Sequence, residues 1–180
     1  MLLKMLNRSW VYWVAALVIL LDQYTKFLVR QNLPVGAAWM PLEWLAPYFR
    51  LVHIENTGAA FGMFPAGGQV FSVIAVVVSA VIIYYATRLP PGHWALRTTL
   101  GLQLGGAIGN LIDRLVKGPV TDFFNVLSLW NTPVFNVADL SITTGVLVLI
   151  VLMWRDSRRS PASVEATAAP EAAPTPSPHD

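Results

Sequence analysis

Asp122 and Asp139 are the residues of this chain best suited to chemistry. Each lies at the edge of an apolar stretch long enough to cross a bilayer, where a carboxylate is expensive to place and marks a functional site by default. Two carboxylates close together cannot both ionise comfortably, so one keeps a proton while the other stays charged. The charged member can take a proton from a bound water, and the protonated member can hydrogen-bond a scissile carbonyl. Such positioned proton transfer is worth ~10²–10⁴-fold. The pair titrates as a unit, so neither carboxylate is given a fixed role. Singly, Asp122 also reads as an interfacial turn residue, and Asp139 as a helix-start carboxylate favoured by the helix dipole.

Other polar residues fall at the same level. Asn110, Asp113 and Arg114 share one helical face at i, i+3 and i+4, and Asn136 and Asp139 begin a later helix with Thr143 continuing their stripe. Arg114 can neutralise a carboxylate or hold a carbonyl through its fork of donors. Asp113 is placed deeper, paired beside Arg114. Asp22 and Lys26 are spaced i, i+4, where they can form a structural ion pair. Ser141 beside Lys26 would make a serine–lysine dyad, but Lys26 already has Asp22 in reach.

Several chemistries are excluded. The chain has no cysteine, which removes disulfides, thiol catalysis, Cys-based metal sites and a lipid-anchored lipoprotein. His53, His93 and His179 are dispersed, so no metal and no cofactor is expected. A net charge of +2 is too small to imply a nucleic-acid partner.

The elements that must position these residues are membrane helices. With 55% hydrophobic and 12% charged residues among 180, the composition is that of an integral membrane protein. Four apolar runs, Trp10 to Val29, Gly68 to Ala86, Leu96 to Leu115 and Phe135 to Trp154, each have roughly the 20 residues a spanning helix needs. The first resembles a signal-peptide core after Lys4 and Arg8, but no small-residue cleavage site follows it. Lys4, Arg8, Arg88, Arg97, Arg155, Arg158 and Arg159 flank one side, and Arg30, Arg50 and Lys117 the other, which places both termini in the cytoplasm. Residues 31–67 and 116–134 then lie outside, with Asp122 and Asp139 at one membrane face.

Between the spans, Leu89-Pro90-Pro91-Gly92 makes a tight turn and Lys117-Gly118-Pro119 breaks the third helix. Gly101, Gly105 and Gly109 recur every fourth residue, a small-xxx-small pattern for close helix approach. The first outer segment, rich in aromatics (Trp39, Trp44, Tyr48, Phe49), is expected to form a small extramembrane β-rich segment with a strand from Phe49 to Ile54. The second outer segment, Phe123, Phe124, Val126, Leu127, Leu129 and Trp130, suits a short interfacial helix. Residues 160–180, rich in Pro, Ala, Ser and Thr, read as a disordered cytoplasmic tail. Residues 1–159 form the membrane domain.

These motifs resemble the bacterial lipoprotein signal peptidases (signal peptidase II), a membrane aspartyl protease family with four transmembrane helices. The matching segments are Asp22 to Lys26, Asn56 to Gly62, Gly105 to Arg114, Val120 to Phe123 and Phe135 to Asp139, in the family's order. The resemblance implies that Asp122 and Asp139 are the catalytic pair and settles the choice between Asp113 and Asp122. It implies that Asn56, Asn110, Arg114 and Asn136 line the site and contact substrate, with Asp22 and Lys26 a structural pair. It further implies a monomer of the bacterial cytoplasmic (inner) membrane, in contact with membrane lipids. Such an enzyme cleaves diacylglyceryl-modified prolipoproteins just before the modified cysteine, near the periplasmic face. The readings from other classes are a proton-coupled transporter, which predicts acids at several depths, and a non-catalytic assembly protein.

Overall fold

The apolar runs fold as helices with their faces sorted by solvent. In a computed structural model, which describes residues 2–40, 42–58, 67–126 and 132–159, the chain runs α1 (Leu2–Asn32), β1 (Ala38–Trp39), a 3₁₀ turn (Glu43–Leu45), β2 (Phe49–Asn56), α2 (Gly68–Arg88), α3 (Trp94–Val116), β3 (Val120–Val126) and α4 (Val137–Arg159). All four helices run past the C-terminal ends of their apolar stretches, because the polar flanks satisfy their backbone groups by continuing the helix, while α4 starts two residues later than Phe135. Three of them, α1, α2 and α4, contain segments long and apolar enough to cross a membrane. Helix α3 is as long at 23 residues but interrupts its apolar character with Arg97, Thr98, Thr99, Gln103, Asn110, Asp113 and Arg114.

That difference follows from position. Helix α3 packs against α1, α2 and α4, so it faces protein where the others face outward. Leu17, Leu20 and Phe27 of α1, Val73 and Val77 of α2, and Leu147, Ile150 and Met153 of α4 are all exposed. A continuous apolar surface of this kind calls for hydrocarbon around it. The interior holds charges instead: Asp22, Lys26, Arg97 and Asp113 are at most 1% exposed.

Glycine sets the helix spacing. A Cβ at Gly101 or Gly105 would lie 2.6 Å from the Cβ of Val14 or Val18 and 2.8 Å from a carbonyl oxygen of α1. On the adjoining face, a Cβ at Gly106 would lie 2.5 Å from the Ala138 carbonyl oxygen of α4. Backbones this close gain dispersion contact and need no large side chains to do so.

At one end of the bundle β1, β2 and β3 form an antiparallel sheet in that order. The first outer segment is thus β-rich as expected, with the strand two residues longer than Phe49 to Ile54. The expected interfacial helix is corrected: Phe123, Phe124 and Val126 belong to strand β3, and Leu127, Leu129 and Trp130 lie outside the described residues. The strand wins because its backbone is wanted on both edges. Its register with β2 pairs Ile54 with Asp122 and Leu51 with Phe124, and Phe135 closes the other edge by hydrogen bonds with Phe123 and Phe124. Residues 160–180 also lie outside the described residues.

Candidate active site

The turn from α3 into β3 aims Asp122. The amides of Lys117 and Gly118 both donate to the Asp113 carbonyl, at 2.8 and 3.2 Å, and Gly118 takes φ +91°, a left-handed helix end that glycine adopts without strain. Pro119 prevents the helix from resuming. Three residues later Asp122 is buried at 2% exposure. The bridge between Phe124 and Phe135 then brings Asn136 alongside it.

Asn136 does not lie in α4, as its spacing suggested, but caps it. Its Oδ1 accepts from the Asp139 amide at 3.0 Å, and an Asp139 carboxylate oxygen accepts from the Asn136 amide at 3.3 Å. This reciprocal capping box fixes the first turn of the helix and leaves the Asn136 side-chain NH₂ free to work elsewhere. That group donates to Asp122 Oδ1 at 2.7 Å and to Asn110 Oδ1 at 3.1 Å. Asn110 Nδ2 in turn donates to Asp139 Oδ1 at 2.7 Å. On the other side of Asp122, Asn56 Nδ2 donates to Oδ2 at 2.9 Å, while its own Oδ1 accepts the Gly58 amide at 3.0 Å.

Both carboxylates are therefore held by neutral amides. Burial pushes the Asp122 carboxyl from 3.8 up to about 6, and the neighbouring charge of Asp139 adds to this, against the donors of Asn56 and Asn136. Asp139 is half-buried, the more open of the two. Arg114 stands close enough to act on both through space, with its guanidinium 5.6 Å from the Phe71 ring centre of α2.

A second cluster lies behind the first. Lys26 Nζ bonds Asp22 Oδ2 at 2.8 Å, Asp113 Oδ2 at 3.0 Å and Asn110 Oδ1 at 2.9 Å. Asp113 is thus paired to Lys26 rather than to Arg114, with Arg30 3.6 Å from its other oxygen. The Asp113 carboxylate also accepts the Thr121 amide. The remaining oxygen of Asp22 accepts the Ala138 amide at 2.9 Å. Ser141 is turned away from Lys26, donating to the Val137 carbonyl. Among the described residues no three of His, Cys, Asp or Glu converge as metal ligands would.

The sequence reading missed Arg30 and Thr121, which are joined by a 3.1 Å hydrogen bond beside Asp113. Arg30 carried a signal, since it extends the Asp22–Lys26 spacing by one more helical turn.

Residues 14–155 match the family described as Signal peptidase (SPase) II. The chain belongs to the signal peptidase II family. Family membership makes it an integral membrane peptidase. A lipoprotein signal peptidase of Bacillus subtilis (strain 168) is 41% identical over 147 residues, 81% of this chain and 94% of the relative. That of Geobacillus kaustophilus is 40% identical over 144 residues, 79% and 92% of the two chains. A solved structure described as a bacterial membrane enzyme superposes with a TM-score of 0.77 at 25% identity, covering 85% of this chain and 92% of that one. A second solved bacterial membrane enzyme superposes at 0.72 with 26% identity, covering 81% and 93%.

Proposed function

We propose that this signal peptidase II is an aspartyl endopeptidase that removes signal peptides from prolipoproteins, cleaving just before the diacylglyceryl-modified cysteine. The observation that carries this reading is the chain Asp122–Asn136–Asn110–Asp139, two carboxylates tied together by amide donors. Amides orient a carboxylate without neutralising it, so the pair can still exchange protons.

In the proposed reaction the ionised member of the pair takes a proton from water, and the resulting hydroxide adds to the scissile carbonyl carbon. The protonated member hydrogen-bonds the carbonyl oxygen as it gains charge. Collapse of the tetrahedral intermediate breaks the C–N bond, and the departing nitrogen receives a proton from the pair. Asn110 and Asn136 keep the two carboxylates in place throughout. Asn56 and Arg114, at the margin of the same cluster, are positioned to bind the peptide, with Arg114 offering its fork to a backbone carbonyl.

We further assign all four helices to the membrane, α3 being shielded by the other three, with both ends of the chain in the cytoplasm. The sheet then lies at the outer face of the cytoplasmic membrane. A cysteine anchored by acyl chains presents its scissile bond near headgroup depth, which is the level of the sheet. The enzyme acts as a monomer, needing no cofactor.

Incubating the purified protein in detergent with a diacylglyceryl-modified precursor tests this reading. Cleavage is expected for the parent chain and none for Asp122→Asn or Asp139→Asn, both still folded. Wild-type-like turnover by either variant would falsify the assignment.

A further inference from the structure

An ammonium has three donors, and those of Lys26 meet two carboxylates and one amide. Asp22 and Asp113 would suffice to neutralise it. The third bond goes to Asn110, the residue that holds Asp139. Asn110 Oδ1 receives both Lys26 and Asn136, while its NH₂ faces the Asp139 carboxylate. With the amide reversed, an NH₂ would face an ammonium and a second NH₂, and a carbonyl oxygen would face a carboxylate. Every one of those contacts is repulsive.

We infer that Lys26 is a positioning residue for the proteolytic reaction: its buried ammonium fixes the polarity of the Asn110 amide and thereby the orientation of the Asp139 carboxylate. The inference rests on the aspartyl reading above and goes beyond treating Lys26 as half of a structural pair. Positive charge acting along this route favours the ionised form of the pair. Lys26 also acts through space on Asp122 in the same sense. The other charged group facing the pair is Arg114 of α3; Asp22 of α1 and Asp113 of α3 lie behind it on Lys26, with Arg30 of α1 beside Asp113. Strand β2 contributes the neutral Asn56, and α2 presents the Phe71 ring to Arg114.

The test is the pH profile of cleavage by the purified full chain on a diacylglyceryl-modified precursor. Asp22→Asn/Lys26→Met removes one charge of each sign, keeps an oxygen for the Ala138 amide and leaves Asp113 with Arg30. Its acid limb is expected to move up by about one pH unit, with kcat down roughly tenfold at neutral pH and KM within about twofold. Asp22→Asn alone is expected to keep the limb in place. A limb in the double variant that coincides with that of Asp22→Asn overturns the inference, whatever the loss in kcat, because a merely structural lysine lowers activity without moving the profile. Lys26→Arg covers the case in which the double variant does not fold. It retains the charge, so its limb should stay, and an upward shift overturns the inference. If Asp122→Asn and Asp139→Asn remain active, the underlying aspartyl reading has failed; if they are dead and the limb is unmoved, only the role of Lys26 has.

Discussion

Four aspartates sit within one polar layer of this protein, and they are held in two different ways. Asp22 and Asp113 share the ammonium of Lys26 at 2.8 and 3.0 Å and are essentially inaccessible. Asp122 and Asp139 are held by the amides of Asn56, Asn110 and Asn136. A cation compensates the charge of a buried carboxylate, whereas an amide orients a carboxylate and brings no charge of its own. The first pair builds the layer and the second can use it. The identity of the donor separates them.

The sharpest way to break this contrast is to neutralise one carboxylate from each pair. Asp122→Asn or Asp139→Asn should cost ~10²–10⁴-fold or more in cleavage with little loss of folding, measured by precursor turnover beside thermal unfolding. Asp113→Asn should do the reverse. It loosens a buried ion pair at a cost of about 3 kcal/mol, lowering the melting temperature while cleavage per folded molecule stays within about tenfold of the parent. If Asp113→Asn silenced a well-folded enzyme, the division of labour would be wrong.

A third test reaches the layer through its frame. Gly105→Leu would force α1 and α3 apart, since a Cβ there lies 2.6 Å from Val18 and 2.8 Å from a carbonyl oxygen. A destabilisation of ~1–3 kcal/mol is expected, again visible in melting temperature. Gly118→Ala strains only the left-handed turn before Asp122 and should cost about 1 kcal/mol.

The smallest effect is one of pH. The folded Asp122 carboxyl sits at about 6 against an ordinary 3.8, so the folded state holds this proton more tightly than the unfolded chain does. Ionising Asp122 therefore costs stability. The cost is absent below about pH 4, grows between 4 and 6 and is complete above 6. Asp122→Asn, with no charge to bury, should be more stable than the parent at pH 8 by on the order of 1 kcal/mol, and the advantage should vanish at pH 4. Unfolding at the two pH values measures it. No pH dependence of the difference would mean that Asp122 is not desolvated as described.

Much of this was legible in the sequence, and the parts that were not share a cause. Apolar length locates α1, α2 and α4, and the four-residue glycine spacing locates the face of α3 that meets α1. The i, i+4 spacing of Asp22 and Lys26 suffices for their pairing. What escaped depends on partners distant in the chain. Phe123 and Phe124 have side chains that suit an interfacial helix, and only hydrogen bonds to β2 and to Phe135 make them a strand. Asp113 lies next to Arg114 in sequence but meets Lys26, 87 residues away, because α1 and α3 pack backbone to backbone. Asn136 was read into a helical stripe from spacing alone, while its cap geometry depends on where Phe135 is anchored.

The hydrogen bond from the Ala138 amide to Asp22 has a consequence for the order of synthesis. It joins α1, made early, to the turn that opens α4, made later. Asp22 waits as the acceptor for the turn that carries Asp139. Until α4 has packed against it, Asp122 has Asn56 but lacks Asn136, and the polar cluster stays open on that side. A chain truncated before Asn136 thus keeps α1, α2 and α3 but only half of the candidate site.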